Sequence, residues 1–160
     1  MNNFKDISAK PFIKWVGGKT QLLDEVKRSL PSDLGKRTGL TYVEPFVGGG
    51  AVLFWILQEY PNIERAVIND INAELICTYR VIKSNVEALI QELNRIQSEY
   101  ISMGADDRKE YFLSKRALFN SRNISDIETA ALFIFLNRTC FNGLYRVNSK
   151  GEFNVPHGKY

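Results

Sequence analysis

Val43-Glu44-Pro45-Phe46-Val47-Gly48-Gly49-Gly50 and, further on, Ala66-Val67-Ile68-Asn69-Asp70 decide how this chain is read. Each is an apolar run of strand character that ends in a turn suited to a ligand. Gly48, Gly49 and Gly50 lack Cβ atoms, so the backbone can close tightly against something lying over the strand end. Asp70 follows at about the 20-residue spacing at which nucleotide-binding α/β folds carry a ribose-binding carboxylate. The same acid has a plainer use, as the cap of the helix that follows its strand.

Working outward, residues 40–46 predict one strand and 65–69 a second, with an apolar helix over 51–60 and a turn at Pro61-Asn62 between them. A strand–helix–strand unit of this length implies parallel pairing. Residues 20–30 carry apolar positions at helical spacing and stop before Pro31. Beyond Asp70 the pattern turns helical. Residues 73–83 form one amphipathic run. Ser84-Asn85-Val86-Glu87 has the form of a capping box opening a second, and a polar loop near 103–107 leads to a third over 109–120. Ser125-Asp126-Ile127-Glu128 is another capping box, and the helix that it opens is apolar nearly all round. Residues 144–155 alternate about Asn148-Ser149-Lys150-Gly151, a hairpin signal. The expected fold class is α/β, with a nucleus in residues 1–72 and a helical subdomain in 73–160 ending in a β-hairpin at about 144–155.

The chain has 160 residues, 44% hydrophobic and 24% charged, an ordinary globular composition. No apolar run approaches the ~20 residues that span a bilayer, and the N-terminus lacks the apolar stretch of a signal peptide. Two cysteines, Cys77 and Cys140, and the single histidine, His157, argue for a reducing, cytoplasmic setting and against a metal site. The net charge is +3, and all of it lies in the last 25 residues, where Arg138, Arg146, Lys150 and Lys159 face one acid, Glu152. Those bases alternate with Phe141, Tyr145, Phe153 and Tyr160, a pattern suited to phosphates and bases. The alternative is a solvated basic tail.

Two other readings fail on single residues. Gly18-Lys19-Thr20 ends like a phosphate-binding P-loop, but Ile13 stands where that loop needs its first glycine. Gly48-Gly49-Gly50-Ala51-Val52-Leu53 begins like a dinucleotide fingerprint but has Leu53 where a small residue allows close helix–strand packing.

Five motifs occur in order: Pro11-Phe12-Ile13-Lys14-Trp15-Val16-Gly17-Gly18-Lys19, the glycine turn, Asn69-Asp70-Ile71-Asn72, residues 137–146 beginning Asn137-Arg138-Thr139-Cys140-Phe141-Asn142-Gly143, and residues 151–160. Together they resemble the Dam-like, D12-class DNA adenine-N6 methyltransferases, over about residues 11–160. The resemblance implies a site-specific enzyme that moves a methyl group from S-adenosylmethionine to adenine in double-stranded DNA, with GATC the default target. It implies a cytoplasmic, nucleoid-associated protein, with restriction–modification, repair and replication control all open as its role. It also implies a partial Rossmann-like methyltransferase sheet, since the family's sheet has seven strands.

By the same resemblance, Trp15, Lys19, Glu44, Pro45, Phe46, Gly48, Gly50, Asp70 and Ile71 belong to the cofactor site. Lys19 would meet the donor's carboxylate, Trp15 its sulfonium cation, Asp70 the ribose diol and Ile71 the adenine. Trp15 reads equally as an ordinary core tryptophan, and Asn72 could take the capping role from Asp70. The DNA-binding set is Lys14, Arg138, Phe141, Asn142, Arg146, Asn148 and Lys150. Arginine suits guanine and asparagine suits adenine or phosphate, while Phe141 is either a wedge into the base stack or a core residue. Lys14 is either DNA-facing or simply solvated. His157, where an aromatic is commoner, and Thr139-Cys140 depart from the family pattern and put the fine sequence preference in doubt.

The family's catalytic D-P-P-Y box has no counterpart here, for the prolines at 11, 31, 45, 61 and 156 are never adjacent. The expectation is therefore a chain with donor and recognition parts, no catalytic residue and no transfer of its own. A second chain or a missing C-terminal half would carry the box. The rival reading is a non-catalytic DNA-binding or regulatory remnant of the same fold.

Overall fold

The computed structural model describes residues 8–158, so Lys159 and Tyr160 of the basic segment lie outside the described residues. Contacts divide the chain into two compact units. One holds residues up to 12 and 17–71, the other 13–16 and 72 onward. Residues 13–16 group with the second unit, not with the nucleus where the sequence reading put them, because their backbone and side chains pack on residues 133–145.

The first unit is built on strands β1 (Leu40–Glu44) and β2 (Ile63–Ile68), paired in parallel, with Val43 opposite Val67 and Glu44 opposite Ile68. A short turn of 3₁₀ helix at Lys19–Leu22 leads into helix α1 (Leu23–Ser29). Helix α2 (Ala51–Glu59) connects the strands and buries Val52, Leu53 and Ile56. It starts directly after the glycine turn, where Gly50 caps it at φ 82°, a left-handed conformation that a Cβ would strain. The faces of the strands remain largely open, with Val43 60% and Val67 39% exposed.

The second unit is helical: α3 (Ala73–Ser84), α4 (Val86–Ile101), α5 (Ala105–Ser121) and α6 (Asp126–Thr139). Helix α6 is the centre and packs on the other three. Its capping box forms as the sequence predicts: the Ser125 hydroxyl accepts from the Glu128 N–H at 3.2 Å, and the Ser125 N–H donates to the Glu128 carboxylate at 3.0 Å. Asn72 caps α3 by accepting from the Leu75 N–H at 2.7 Å.

Two local expectations are corrected and a third is met in part. The Ser84–Glu87 capping box does not form, because α3 runs on through Ser84, whose hydroxyl donates back to the Arg80 carbonyl at 2.8 Å. Helix α5 begins at Ala105, inside the expected loop, with Asp106 and Asp107 in a first turn where the helix dipole favours acids. The segment at 144–155 folds back on itself through an antiparallel bridge between Val147 and Phe153, with no regular strand on either side. Among the described residues no helix is long and apolar enough to cross a membrane.

Candidate functional site

At the C-terminal ends of β1 and β2 the first unit gathers most of the residues proposed for the cofactor. The Asp70 carboxylate accepts the Gly48 N–H at 3.0 Å, and the Val47 N–H donates to the Asn69 carbonyl at 2.9 Å. The acid is thus tied to the glycine turn, while the helix cap falls to Asn72. Glu44 is buried and accepts from Lys19 Nζ at 3.0 Å and from the Tyr42 hydroxyl at 2.8 Å. Burial and that bond to Glu44 push the Tyr42 phenol well above its ordinary value. Lys19 also donates to the Phe46 carbonyl. Two of its three N–H donors are therefore engaged at the end of β1, and 37% of its side chain stays exposed. Around this polar cluster Pro45 is exposed, Gly48 and Gly50 are buried, and Phe46 and Ile71 stand 72% and 97% exposed.

Trp15 is elsewhere. It belongs to the second unit, stacked on Tyr145 at 5.5 Å between ring centres and tilted against Phe133 at 6.1 Å. Its plainer reading, a packed tryptophan, describes that environment.

The residues expected to contact DNA lie wholly in the second unit. Lys14, Arg138, Phe141, Asn142, Arg146 and Lys150 are exposed. Phe141 is 52% exposed, so the core-packing alternative is set aside. Asn142 sits at φ 55°, within a short turn at Phe141–Gly143, a left-handed conformation that asparagine tolerates better than most residues. The Arg146 guanidinium donates to Asn154 Oδ1 at 2.8 Å and so leaves the turn already oriented. Asn148 is a turn builder: Oδ1 accepts from the N–H groups of Lys150 at 2.9 Å and Glu152 at 3.0 Å, and Nδ2 donates to Glu152 at 2.8 Å.

The aromatic interleaving of the basic segment has to be corrected. Phe153 is 2% exposed, and Tyr145 lies among Trp15, Phe133 and Phe153. Burial raises the Tyr145 phenol, whose hydroxyl reaches the buried Glu74 at 3.4 Å. These two rings hold the unit together, and of the three described aromatics only Phe141 presents itself to solvent.

Asn137, within the motif at 137–146, is a polar centre that the sequence reading misses: its amide joins Lys14 to Gly143. The signal was present: an asparagine in a helix otherwise apolar nearly all round must find buried partners. A second polar centre missed in the sequence is Glu74, paired with Arg122, whose guanidinium also donates to the Gly151 carbonyl at 2.8 Å. Beside it lies a cavity of about 240 Å³ lined by Cys77, Phe119 and Asp126 among others. Burial, then the nearby Asp126, push the Cys77 thiol up to about 11, which leaves it un-ionised and unreactive at neutral pH.

The first unit thus carries a glycine turn tied to an acid at parallel strand ends, and the second carries an exposed basic turn. The chain belongs to the D12 class N6 adenine-specific DNA methyltransferase family, which it matches over residues 15–160. It is 47% identical over 156 residues to the Type II methyltransferase M.MjaIII of Methanocaldococcus jannaschii, covering 96% of this chain and 54% of that protein. To the Type II methyltransferase M1.LlaDCHI of Lactococcus lactis it is 42% identical over 157 residues, 96% of this chain and 49% of the relative. To the DNA adenine methylase of Haemophilus influenzae it is 40% identical over 153 residues, 94% of this chain and 48% of the relative. The chain spans about half the length of these relatives.

Proposed function

We propose that this chain is the donor-binding and target-recognition part of a site-specific DNA adenine-N6 methyltransferase that uses S-adenosylmethionine, with GATC as the default target. The observation that carries the reading is the tie between Asp70 and the Gly48 N–H at the end of two parallel strands. Ligands of open α/β sheets bind outside the carboxyl ends of the strands, and the helix cap that would otherwise explain an acid here is supplied by Asn72.

The donor set fits the proposed cofactor. Asp70 suits a ribose diol, Lys19 an amino-acid carboxylate, and the exposed Phe46 and Ile71 an aromatic base. When bound, S-adenosylmethionine supplies the activated methyl group. In the second unit Arg146 is the candidate for guanine and Asn142 for adenine or phosphate, Phe141 is the wedge that fills the stack when the target adenine leaves it, and Lys14, Arg138 and Lys150 supply positive charge for phosphates. Asn148 acts indirectly, by shaping the turn that carries Lys150. The acceptors for the adenine amino hydrogens, the family's D-P-P-Y box, we assign to the length that the relatives carry beyond the matched half.

The first test is calorimetry with S-adenosylmethionine. Asp70→Ala and Lys19→Ala should each weaken binding by about 1–3 kcal/mol, the scale of hydrogen bonds to charged groups. Unchanged affinity in both variants refutes the donor site. On DNA, Arg146→Ala should cost roughly 1–3 kcal/mol at one base position, whereas Lys150→Ala should weaken all sequences alike and flatten the salt dependence. Equal loss on every sequence would make Arg146 a phosphate contact. Residues 1–160 alone should incorporate no label from methyl-tritiated donor into DNA, and adding the second half of the protein should restore incorporation. Turnover without it would mean that residues 1–160 hold a catalytic constellation of their own.

A further inference from the structure

In α6, Asn137 is the polar member of the buried set and is 1% exposed. Its Oδ1 accepts from the Lys14 N–H at 2.9 Å, and its Nδ2 donates to the Lys14 carbonyl at 2.8 Å and the Gly143 carbonyl at 2.9 Å. The side-chain amide therefore pairs with both main-chain groups of Lys14, as a neighbouring strand would, and spends its other hydrogen on the turn after α6. The aliphatic part of Lys14 lies directly over Gly143. A Cβ there would stand 2.4 Å from Lys14 Cδ and 2.8 Å from its Cβ, and Gly143 has φ +64°. The next residue, Trp15, is stacked on Tyr145. Lys14 is thus joined to the turn at 142–146 by one glycine seat and by one buried amide, that of Asn137, which is itself 123 positions away in the chain.

We propose that Asn137 is a positioning residue that fixes Lys14 to the recognition turn, so that Lys14, Asn142 and Arg146 meet DNA as one preorganised surface. The proposal rests on the reading of this turn as DNA-facing. Both amide hydrogens and the carbonyl oxygen of Asn137 are in use, so no smaller or charged residue reproduces its bonds. Aspartate would set its second oxygen against two carbonyls, and alanine would leave the Lys14 and Gly143 groups unpaired. Lys14 would then keep its charge but lose its place.

The experiment is a double-mutant cycle on the full-length protein, with binding to GATC duplex measured at several salt concentrations. Lys14→Ala should reduce the salt slope by about 1 and weaken specific binding about tenfold. Asn137→Ala should do the same with its lysine intact, and the double variant should lose no more than either single one. If Asn137→Ala lowers thermal stability but keeps the wild-type salt slope, or if the two losses multiply, the positioning role is wrong. If Asn137→Ala does not fold, Asn137→Ser, which keeps one donor and one acceptor, takes its place. Amide hydrogen exchange of the wild-type protein decides the matter independently of DNA: the Lys14 N–H should be protected like the amides of α6, and exchange at the rate of an exposed loop overturns the proposal. Should the wild-type protein bind no DNA, the DNA-facing reading fails and with it the role of the clamp, while a protected Lys14 amide would still report the clamp itself.

Discussion

In the second unit, seven of the fourteen residues of α6 are buried; in the first, β1 buries Glu44 alone and β2 buries none of its six. The helical unit encloses its own apolar surface, with Phe112, Phe133, Leu75 and Ile96 all at 2% exposure or less. The strands instead show solvent Val43, Val67 and, past the ladder, Phe46 and Ile71. Parallel strands are ordinarily covered on both faces, and a two-stranded sheet has little stability of its own. The first unit also buries Val47, Val52, Leu53 and Ile56, but its open strand ends are ordered by hydrogen bonds, the strand ladder and the Asp70–Gly48 tie. The difference lies in kind: packing in one unit resists solvent, whereas the exposed site in the other is shaped by polar contacts.

Truncating a side chain in each unit breaks or sharpens that comparison. Phe133 is 2% exposed and packs on Trp15, Phe119 and Tyr145 at 5.4–6.4 Å. Phe133→Ala should cost about 3–5 kcal/mol, the range for a buried phenylalanine. Val43→Ala should cost under about 0.5 kcal/mol, as surface substitutions do. Amide exchange read separately on α6 and β1 measures both. A large loss at Val43 would mean that the strand face is covered in solution and that the contrast is false.

A smaller effect is expected at the buried acid of the helical unit. Glu74 is 9% exposed and is paired with Arg122, which is itself half exposed. Arg122→Ala strands the carboxylate and removes the bond to Gly151. Solvent screening of the arginine brings the expected cost to about 1–3 kcal/mol. Arg122→Ala combined with Glu74→Gln should recover part of that loss in urea unfolding, because the neutral amide no longer needs a cation. No recovery would show that Arg122 acts through packing.

What was legible in the sequence was local. The strand–glycine turn–helix at 40–59, the capping box at Ser125 and the apolar character of α6 each depend on residues within one or two turns of one another. What was not legible was set from far away. Tyr145 alternates with Leu144 and Arg146 as an exposed residue would, but Trp15 and Phe133 fix its direction inward. Lys14 looks like any solvated lysine until Asn137 is seen to hold its backbone. Ser84 shows why a short motif can mislead: its serine fits an N-cap pattern, but the preceding helix had not ended. The acidic first turn of α5 was a usable local signal that the sequence reading passed over.

The mildest test concerns His157, where the tail of the basic segment meets the helical core. Its Nε2 lies 2.7 Å from the Tyr100 hydroxyl of α4, and its ring packs 5.1 Å from Phe112 of α5. On either side the chain is tied back by the Phe141 N–H to the Pro156 carbonyl at 2.9 Å and the Gly158 N–H to the Thr139 carbonyl at 2.8 Å. Burial, then the charges of Lys109 and Arg108, hold its pKa below the ordinary 6.5. The folded protein therefore binds this proton less readily than the unfolded chain does. The contribution of His157 is fully present above the unfolded value and is lost as pH falls through about 6.5 toward the folded value. Glu99 and Glu128, held below their ordinary 4.5 by bonds from Tyr111 and from the Ser125 N–H respectively, titrate in a more acid range. His157→Phe keeps a ring against Phe112 but removes both the titration and the Tyr100 bond. Urea midpoints from about pH 8 to pH 5 should decline in the wild-type protein and run flatter, from a lower start, in the variant. Parallel curves would mean that the proton is taken up elsewhere and that His157 serves only as a packed ring at the end of the basic segment.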